Sequence, residues 1–380
     1  MSDFCPYCNS KNTVKYYETW CPLFTWPLPK DTPNPMILTE VALCKDCFYA
    51  FNATPPGDDV LKKLYDNYVY VKPSEGIGYS SHSGFIELVS KRVEKGAHVV
   101  EIGSSDGYLL SCLKKEGFVN LEGMDPSPHA PNDFPISIRK EYFSETTRFD
   151  SPVDVFLLEH VFEHFNHPWE FLRLMASSLS WGGRIMIEVP HYATDGMQHQ
   201  HLSYFTPIFM QTIALPASLE ITDLHEGNVL RVVFRKERSP GTFFSPEALE
   251  REKEKVLSRT SAVSKERAEQ KERIRDFIRQ ATGEDVYWWG TGSSSADFYM
   301  ALDSELREGV RIHFIDSDAQ REGLYFTPAG APISVASKVL ANRRVKNVLF
   351  ASQFPSEMAE TMKRINCTAD KVFAMPSVKG

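Results

Sequence analysis

The sequence predicts an α/β protein: two units built on parallel sheets, with a small cysteine-rich unit ahead of them. Three observations predict it. Two CxxC pairs stand near the start, a strand–glycine turn–helix rhythm begins near His98, and a second such rhythm begins near Asp285. Strands that alternate with helices mark a parallel sheet. A length of 380 residues suits two or three domains. The chain is divided accordingly into a cysteine-rich domain (1–70), a first α/β domain (71–245), a connecting helix (246–282) and a second α/β domain (283–380).

The pairs are Cys5-Pro-Tyr-Cys8 and Cys44-Lys-Asp-Cys47. Each CxxC turn supplies one edge of a sulfur tetrahedron, so two pairs make a structural zinc site. Four thiolates leave no open position, which argues against catalytic zinc. The segment between the pairs carries prolines at 22, 27, 29, 33 and 35 and reads as a long excursion. Cys21 is a stray core thiol in this reading, and Cys112 and Cys367 are buried structural residues.

In the first α/β unit, His98–Ile102 is a short apolar strand. A turn from Gly103 to Gly107 follows, then a helix over Tyr108–Glu116. Further strands are expected at Asn120–Met124, at Val153–Leu158, and at Arg184–Val189 after a helix Pro168–Ser180 and a Gly182-Gly183 turn. Ligands of such sheets bind at the carboxyl ends of the strands. Those ends carry Glu101, Gly103, Ser104, Ser105, Asp106 and Gly107 in the first turn, Asp125-Pro126-Ser127 after the second strand, and Glu159-His160 after the third. A dinucleotide would call for GxGxxG. Here Glu101 and Asp106 would repel a pyrophosphate but suit the positive amino acid and sulfonium of S-adenosylmethionine. Asp125 is placed to accept from ribose hydroxyls.

With these motifs in view, nearly the whole chain resembles the S-adenosylmethionine-dependent C-methyltransferases of deoxysugar biosynthesis. The resemblance rests on the cysteine pairs, on Leu64–Tyr70 with Tyr68 and Tyr70, and on Glu101–Leu110. It also rests on Glu159-His160-Val161-Phe162-Glu163-His164, on His199-Gln200-His201-Leu202-Ser203-Tyr204-Phe205, and on Trp289–Gly292 with Asp316–Ile333. It implies a zinc-binding amino-terminal domain, a central class I Rossmann-like methyltransferase domain and a carboxyl-terminal Rossmann-like domain that helps hold a nucleotide. The implied substrate is a nucleotide-linked keto-sugar. One departure bears on the chemistry. The family's middle carboxylate in His-Glu-His, implicated in taking a proton from carbon, is Gln200 here, and an amide accepts no proton at neutral pH. A tyrosine two residues earlier is Gln198. The base is therefore expected to be His201 or His199. O- or N-methylation, which needs a weaker base, is the alternative.

Methyl transfer requires an acceptor held in line and a proton removed. Histidine is the natural base near pH 7. Candidates are His160, His164, His199 and His201, with His191 as a weaker one and a metal site among them less favoured. If the 160–164 stretch is helical, His160 and His164 share a face. Tyr68 and Tyr70 orient a ketone or hydroxyl, or else staple the domains together; Tyr79 and His82 are weaker candidates.

The stretch from Pro246 to Ala281 reads as one amphipathic, largely solvated helix. The Gly290-Thr291-Gly292 turn offers amides to a phosphate, but without a third glycine it is a weak dinucleotide signal. A nicotinamide dehydrogenase is the competing reading there. A formal net charge of −8 disfavours nucleic acid, so a zinc-ribbon nucleic-acid binder is the reading of another class. No apolar run approaches the roughly 18 residues of a membrane span. No leader is visible, and cysteines in CxxC pairs suit a reducing compartment, so a cytoplasmic location is expected.

Overall fold

The computed structural model describes residues 4–66, 79–126, 135–193, 197–352 and 355–374. Tyr68, Tyr70 and Ser127 lie outside them, as does the side chain of Tyr79.

Apolar runs that are buried on both faces build the central sheet. In β7 (Val153–Glu159), Phe156 and Leu158 enter one core while Val155 and Leu157 enter another. A strand covered on both faces can be apolar at every position, as parallel sheets require. Its neighbours are β4 (Val99–Ile102), β5 (Leu121–Met124) and β6 (Ser137–Arg139) on one side. On the other lie β8 (Leu179–Pro190), β11 (Val229–Lys236) and β10 (Leu219–Glu226). The order is β10-β11-β8-β7-β4-β5-β6. All pairings from β6 to β8 are parallel, and β11 runs antiparallel to both β8 and β10. The chain moves outward from β4 to β6 and then returns beside β4 as β7. That reversal opens a crevice at the carboxyl ends of β4 and β7.

Helix α2 (Tyr79–Arg92) and α3 (Tyr108–Lys115) cover one face through Phe85, Val89, Leu109 and Leu113. On the other face, α4 (Pro168–Ser178) and α5 (Pro207–Ala214) contribute Trp169, Leu172 and Phe209. The Gly182-Gly183 segment differs from expectation. It lies inside β8, which begins directly after α4, and the sheet absorbs it as a register shift between Val153 and Val155.

A four-stranded antiparallel sheet carries the cysteine pairs. Its order is β1 (Thr13–Pro22), β2 (Met36–Cys44), β3 (Ala50–Asn52) and β9 (Ser203–Tyr204). The last strand comes from the histidine-rich segment, so the two distant parts of the chain share one sheet. Helix α6 (Pro246–Gln280) is continuous over 35 residues. Ser245 caps it by accepting from the Ala248 amide, with Pro246 in the first turn. Beyond it, β12 (Asp285–Trp289) and β13 (Arg311–Asp316) centre a five-stranded parallel sheet with strands Ser334–Val335, Arg344–Phe350 and Thr368–Ala374.

Candidate active site

The four cysteines converge. Cys5 and Cys47 Sγ lie 3.6 Å apart, as do Cys8 and Cys44 Sγ. Zinc with bonds of about 2.3 Å sets tetrahedral sulfurs roughly 3.8 Å apart, so the donor set fits this ion. Backbone turns hold it: the Cys5 carbonyl accepts from Asn9 and the Cys44 carbonyl accepts from Phe48. Cys5, Cys8, Cys44 and Cys47 would thus hold zinc away from the crevice, as a clamp on the sheet.

At the crevice, the end of β4 bends through two left-handed residues, Gly103 (φ 77) and Ser105 (φ 48), before Gly107 (φ 79) starts α3. A Cβ at Gly103 would overlap the Val161 side chain, so only glycine lets the two strand-end turns meet. Ser105 has a Cβ and still holds this region, a strain that concentrates at ligand turns. Asp125 fixes the turn by accepting the Ser105 N–H at 2.7 Å.

Two buried atoms at this turn have no hydrogen-bond partner, Glu101 Oε2 and Ser104 Oγ. Burial, reinforced by the charges of Glu159, Asp125 and Asp106, pushes the Glu101 carboxyl well above its ordinary range. Unsatisfied buried acceptors beside a glycine cradle are what a cationic amino acid would satisfy. The residues therefore fit S-adenosylmethionine. Glu101, Ser104, Ser105 and Asp125 would hold it. Gly103, Gly107 and Pro126 shape the turns, and Asp106 accepts the Tyr108 N–H at 3.1 Å. Glu159 stands at the end of β7 with His82 Nδ1 2.8 Å from its Oε1, although the angles fall outside hydrogen-bond geometry. His82 thus belongs to this rim.

The histidines gather at the next turn. His160 is left-handed (φ 54) and its side chain keeps 38% exposure, which places it at an opening rather than in a core. A short 3-10 turn, Phe162–His164, follows, so His160 and His164 do not share a helical face. His160 Nδ1 lies 3.7 Å from Glu163 Oε1 and its Nε2 3.3 Å from Glu188 Oε1. Loss of solvent disfavours the cation, but the two carboxylates outweigh this and lift His160 to about 10. His164 Nδ1 donates to the Gln200 carbonyl at 3.1 Å, and its ring meets that of His201 edge-on with centroids 5.0 Å apart.

His201 and His199 are buried. Burial, with the charge of His164, depresses His201 to about 3 and His199 to about 4, so both rings are neutral near pH 7. Gln200 is buried too; its amide donates to Gln198, and its own Oε1 has no partner. His191 is locked away from this group. Its Nε2 lies 3.0 Å from Glu226 Oε1 and its Nδ1 accepts from Ala193.

Sequence reasoning passed over three residues here. Glu163 is buried with neither carboxylate oxygen hydrogen-bonded. Glu188 is wholly buried between His160 and Arg231. Cys21, read as a stray thiol, has its Sγ 3.2 Å from His199 Nδ1. One signal was available: Glu188 interrupts the apolar run Ile185–Val189, and a charge inside such a strand needs a partner.

In the second parallel sheet, the Thr291 amide at the Gly290 turn donates to Asp316 Oδ2 at 3.0 Å, and Arg321 pairs with the same oxygen. A carboxylate already takes the amide expected to cradle a phosphate. The arrangement repeats that of Ser105 and Asp125.

A family model described as a methyltransferase domain matches residues 81–255. The match spans the whole seven-stranded sheet, so the chain carries a methyltransferase domain with the class I α/β fold. Among solved structures, one similar chain is the 1,6-didemethyltoxoflavin-N1-methyltransferase of Burkholderia thailandensis. It is 14% identical, with 50% of this chain and 96% of that one covered, at a TM-score of 0.40. Another is the magnesium protoporphyrin IX methyltransferase of Synechocystis PCC 6803, 10% identical over 49% of this chain and 100% of that one, at 0.38. No curated protein matches the chain. No helix among the described residues is long and apolar enough to cross a membrane.

Proposed function

We propose that this chain transfers a methyl group from S-adenosylmethionine to a small molecule, with a nucleotide-linked keto-sugar as the acceptor class and carbon as the methylated atom. The observation that carries the reading is the β4 turn. There one oxygen of a buried carboxyl, Glu101 Oε2, and a buried hydroxyl, Ser104 Oγ, lack hydrogen-bond partners beside two left-handed glycines. The cofactor supplies an electrophilic methyl group. The chain's own part is to bind, orient and handle a proton. Glu101 and Asp125 hold the donor at the ends of β4 and β5. His160, kept cationic by Glu163 and Glu188, donates to an oxygen of the acceptor and stabilises negative charge as it develops there. The proton that leaves the methylated carbon passes to a neutral buried imidazole, His199 or His201. The cysteine-bound zinc has no chemical part. In this reading the cysteine sheet, the methyltransferase domain, α6 and the second parallel sheet are four parts of the chain, the first two joined through β9.

The test is isothermal titration with S-adenosylmethionine, followed by label transfer to a panel of nucleotide keto-sugars. Donor binding and labelled product are expected; absence of donor binding ends the proposal. A second reading, O- or N-methylation, is favoured by Gln200, whose buried Oε1 accepts hydrogen bonds but takes no proton. Deuterium incorporation beside the ketone, measured without donor, separates the two: exchange supports carbon chemistry, and product formation without exchange supports the heteroatom.

A further inference from the structure

Glu163, His164 and His201 form a cluster of which the acid–base reading uses only one contact, that of Glu163 with His160. Their ligand-type atoms, one from each residue, lie within 4.8 Å of one another. Glu163 keeps 1% of its surface, and neither of its oxygens has a hydrogen-bond partner. Its nearest ring nitrogens stand at ion-pair range only, His160 Nδ1 at 3.7 Å and His201 Nε2 at 4.0 Å. Leaving a carboxylate buried without hydrogen bonds costs several kcal/mol unless a charge satisfies it.

The two imidazoles have the form that a cation needs. The Gln200 carbonyl can only accept, so His164 Nδ1 carries a proton, which leaves Nε2 as the nitrogen able to ligate. A backbone carbonyl that fixes one ring nitrogen while the other ligates is the usual outer support of a metal-bound histidine. His201 turns Nε2 towards Glu163.

We propose that Glu163, His164 and His201 bind a divalent transition-metal ion, separate from the four-cysteine zinc. Two imidazoles and one carboxylate suit zinc, cobalt, nickel or ferrous iron and leave coordination positions open. Ligand bonds of about 2.0–2.2 Å set cis or tetrahedral ligand atoms roughly 3–3.6 Å apart, so a bound ion draws the groups together by up to about 1–2 Å. The site adjoins Gln200 through His164. An ion there polarises an oxygen of the acceptor, next to the position where the resembling family has a carboxylate and this chain has an amide. That role rests on the methyl-transfer reading; occupancy by the ion does not.

The test is cobalt(II) titration of the metal-free full-length chain. The cysteine site reports as intense thiolate-to-cobalt absorption. A second equivalent, adding weak visible bands without that absorption, is expected in the wild type. It should be lost in Glu163→Gln and in His164→Gln while the thiolate signal persists. Saturation of the wild type at the thiolate equivalent overturns the proposal, as does an unchanged second equivalent in a folded Glu163→Gln chain. Donor titration on the same samples keeps the two readings apart. Donor binding without a second cobalt sinks only the metal site, and a second cobalt without donor binding sinks only the methyl-transfer reading.

Discussion

In the proposed function donor binding turns on Glu101, and its burial sets up a pH dependence of known sign. Its carboxyl is raised above the unfolded value of about 4.3, so the folded chain retains a proton that the unfolded chain has released. This group's contribution to stability is fully present below the unfolded value. It is lost as pH rises through the folded one. Glu101→Gln should therefore flatten that part of the stability profile and unfold at a higher temperature than the wild type on its alkaline side, as thermal melts across pH would read. The same substitution should weaken donor binding by about ten- to hundredfold, the worth of a charge-assisted hydrogen bond of about 1.5–3 kcal/mol. Because Glu101 must ionise to pair with an ammonium, wild-type binding should release protons. Titration in buffers of different ionisation enthalpy measures that release, and Glu101→Gln should show less of it. Unchanged affinity in the variant would detach Glu101 from the donor.

Among elements, the strand-end turns decide whether the crevice forms. Gly103 meets Val161, which leads into the 3-10 turn bearing Glu163 and His164. Gly103→Ala adds a left-handed penalty of about 1–2 kcal/mol to that overlap, so it should lower the melting temperature and abolish donor binding together. A variant with full affinity would show that the turns adjust independently. The turn at Gly103, β4, β5, β7 and α6 were legible because apolar runs, glycines and a capped start mark them locally. Others were not. In β10, Leu219 and Ile221 begin an alternation that a register shift between Ile221 and Asp223 then breaks, so the periodicity fades where the strand continues. Helix α5 did carry a signal, Thr206 capping Phe209 with Pro207 following, but it lies just past the histidine segment, which ends at Phe205, and was left unassigned. The convergence on Glu163 was hidden for another reason: His160 and His164 belong to its own segment but His201 comes from a distant turn, and no spacing within one segment encodes that meeting.

Across the whole molecule, the cysteine sheet is a buttress for the histidine segment. Ala50 and Phe51 pair with Tyr204 and Ser203, the Tyr49 hydroxyl lies 2.6 Å from Ser203 Oγ, and Asn52 donates to the His199 carbonyl at 3.0 Å. Cys44→Ser should thus lower both zinc content and turnover. Metal analysis and label transfer would follow these, and full turnover in zinc-free Cys44→Ser chain would refute the link. A second tie reaches further. Asp297, wholly buried in the helix Ser293–Met300 that follows β12, accepts from Arg267 Nη2 at 2.7 Å, from Lys271 of α6 at 3.0 Å, and from the Trp20 amide of β1 at 2.9 Å. Arg267 also lies flat over Phe298 at 3.8 Å. One carboxylate thereby joins three elements, and Trp20 is next to the Cys21 that touches His199. Removing its charge strands a buried guanidinium, which costs about 3–5 kcal/mol. Asp297→Asn should lower stability to urea by that much, and adding Arg267→Met should recover part of the loss, because the stranded charge goes with it. If Asp297→Asn stayed within about 0.5 kcal/mol of wild type, the range of ordinary surface changes, the three elements would not be held together by this ion group.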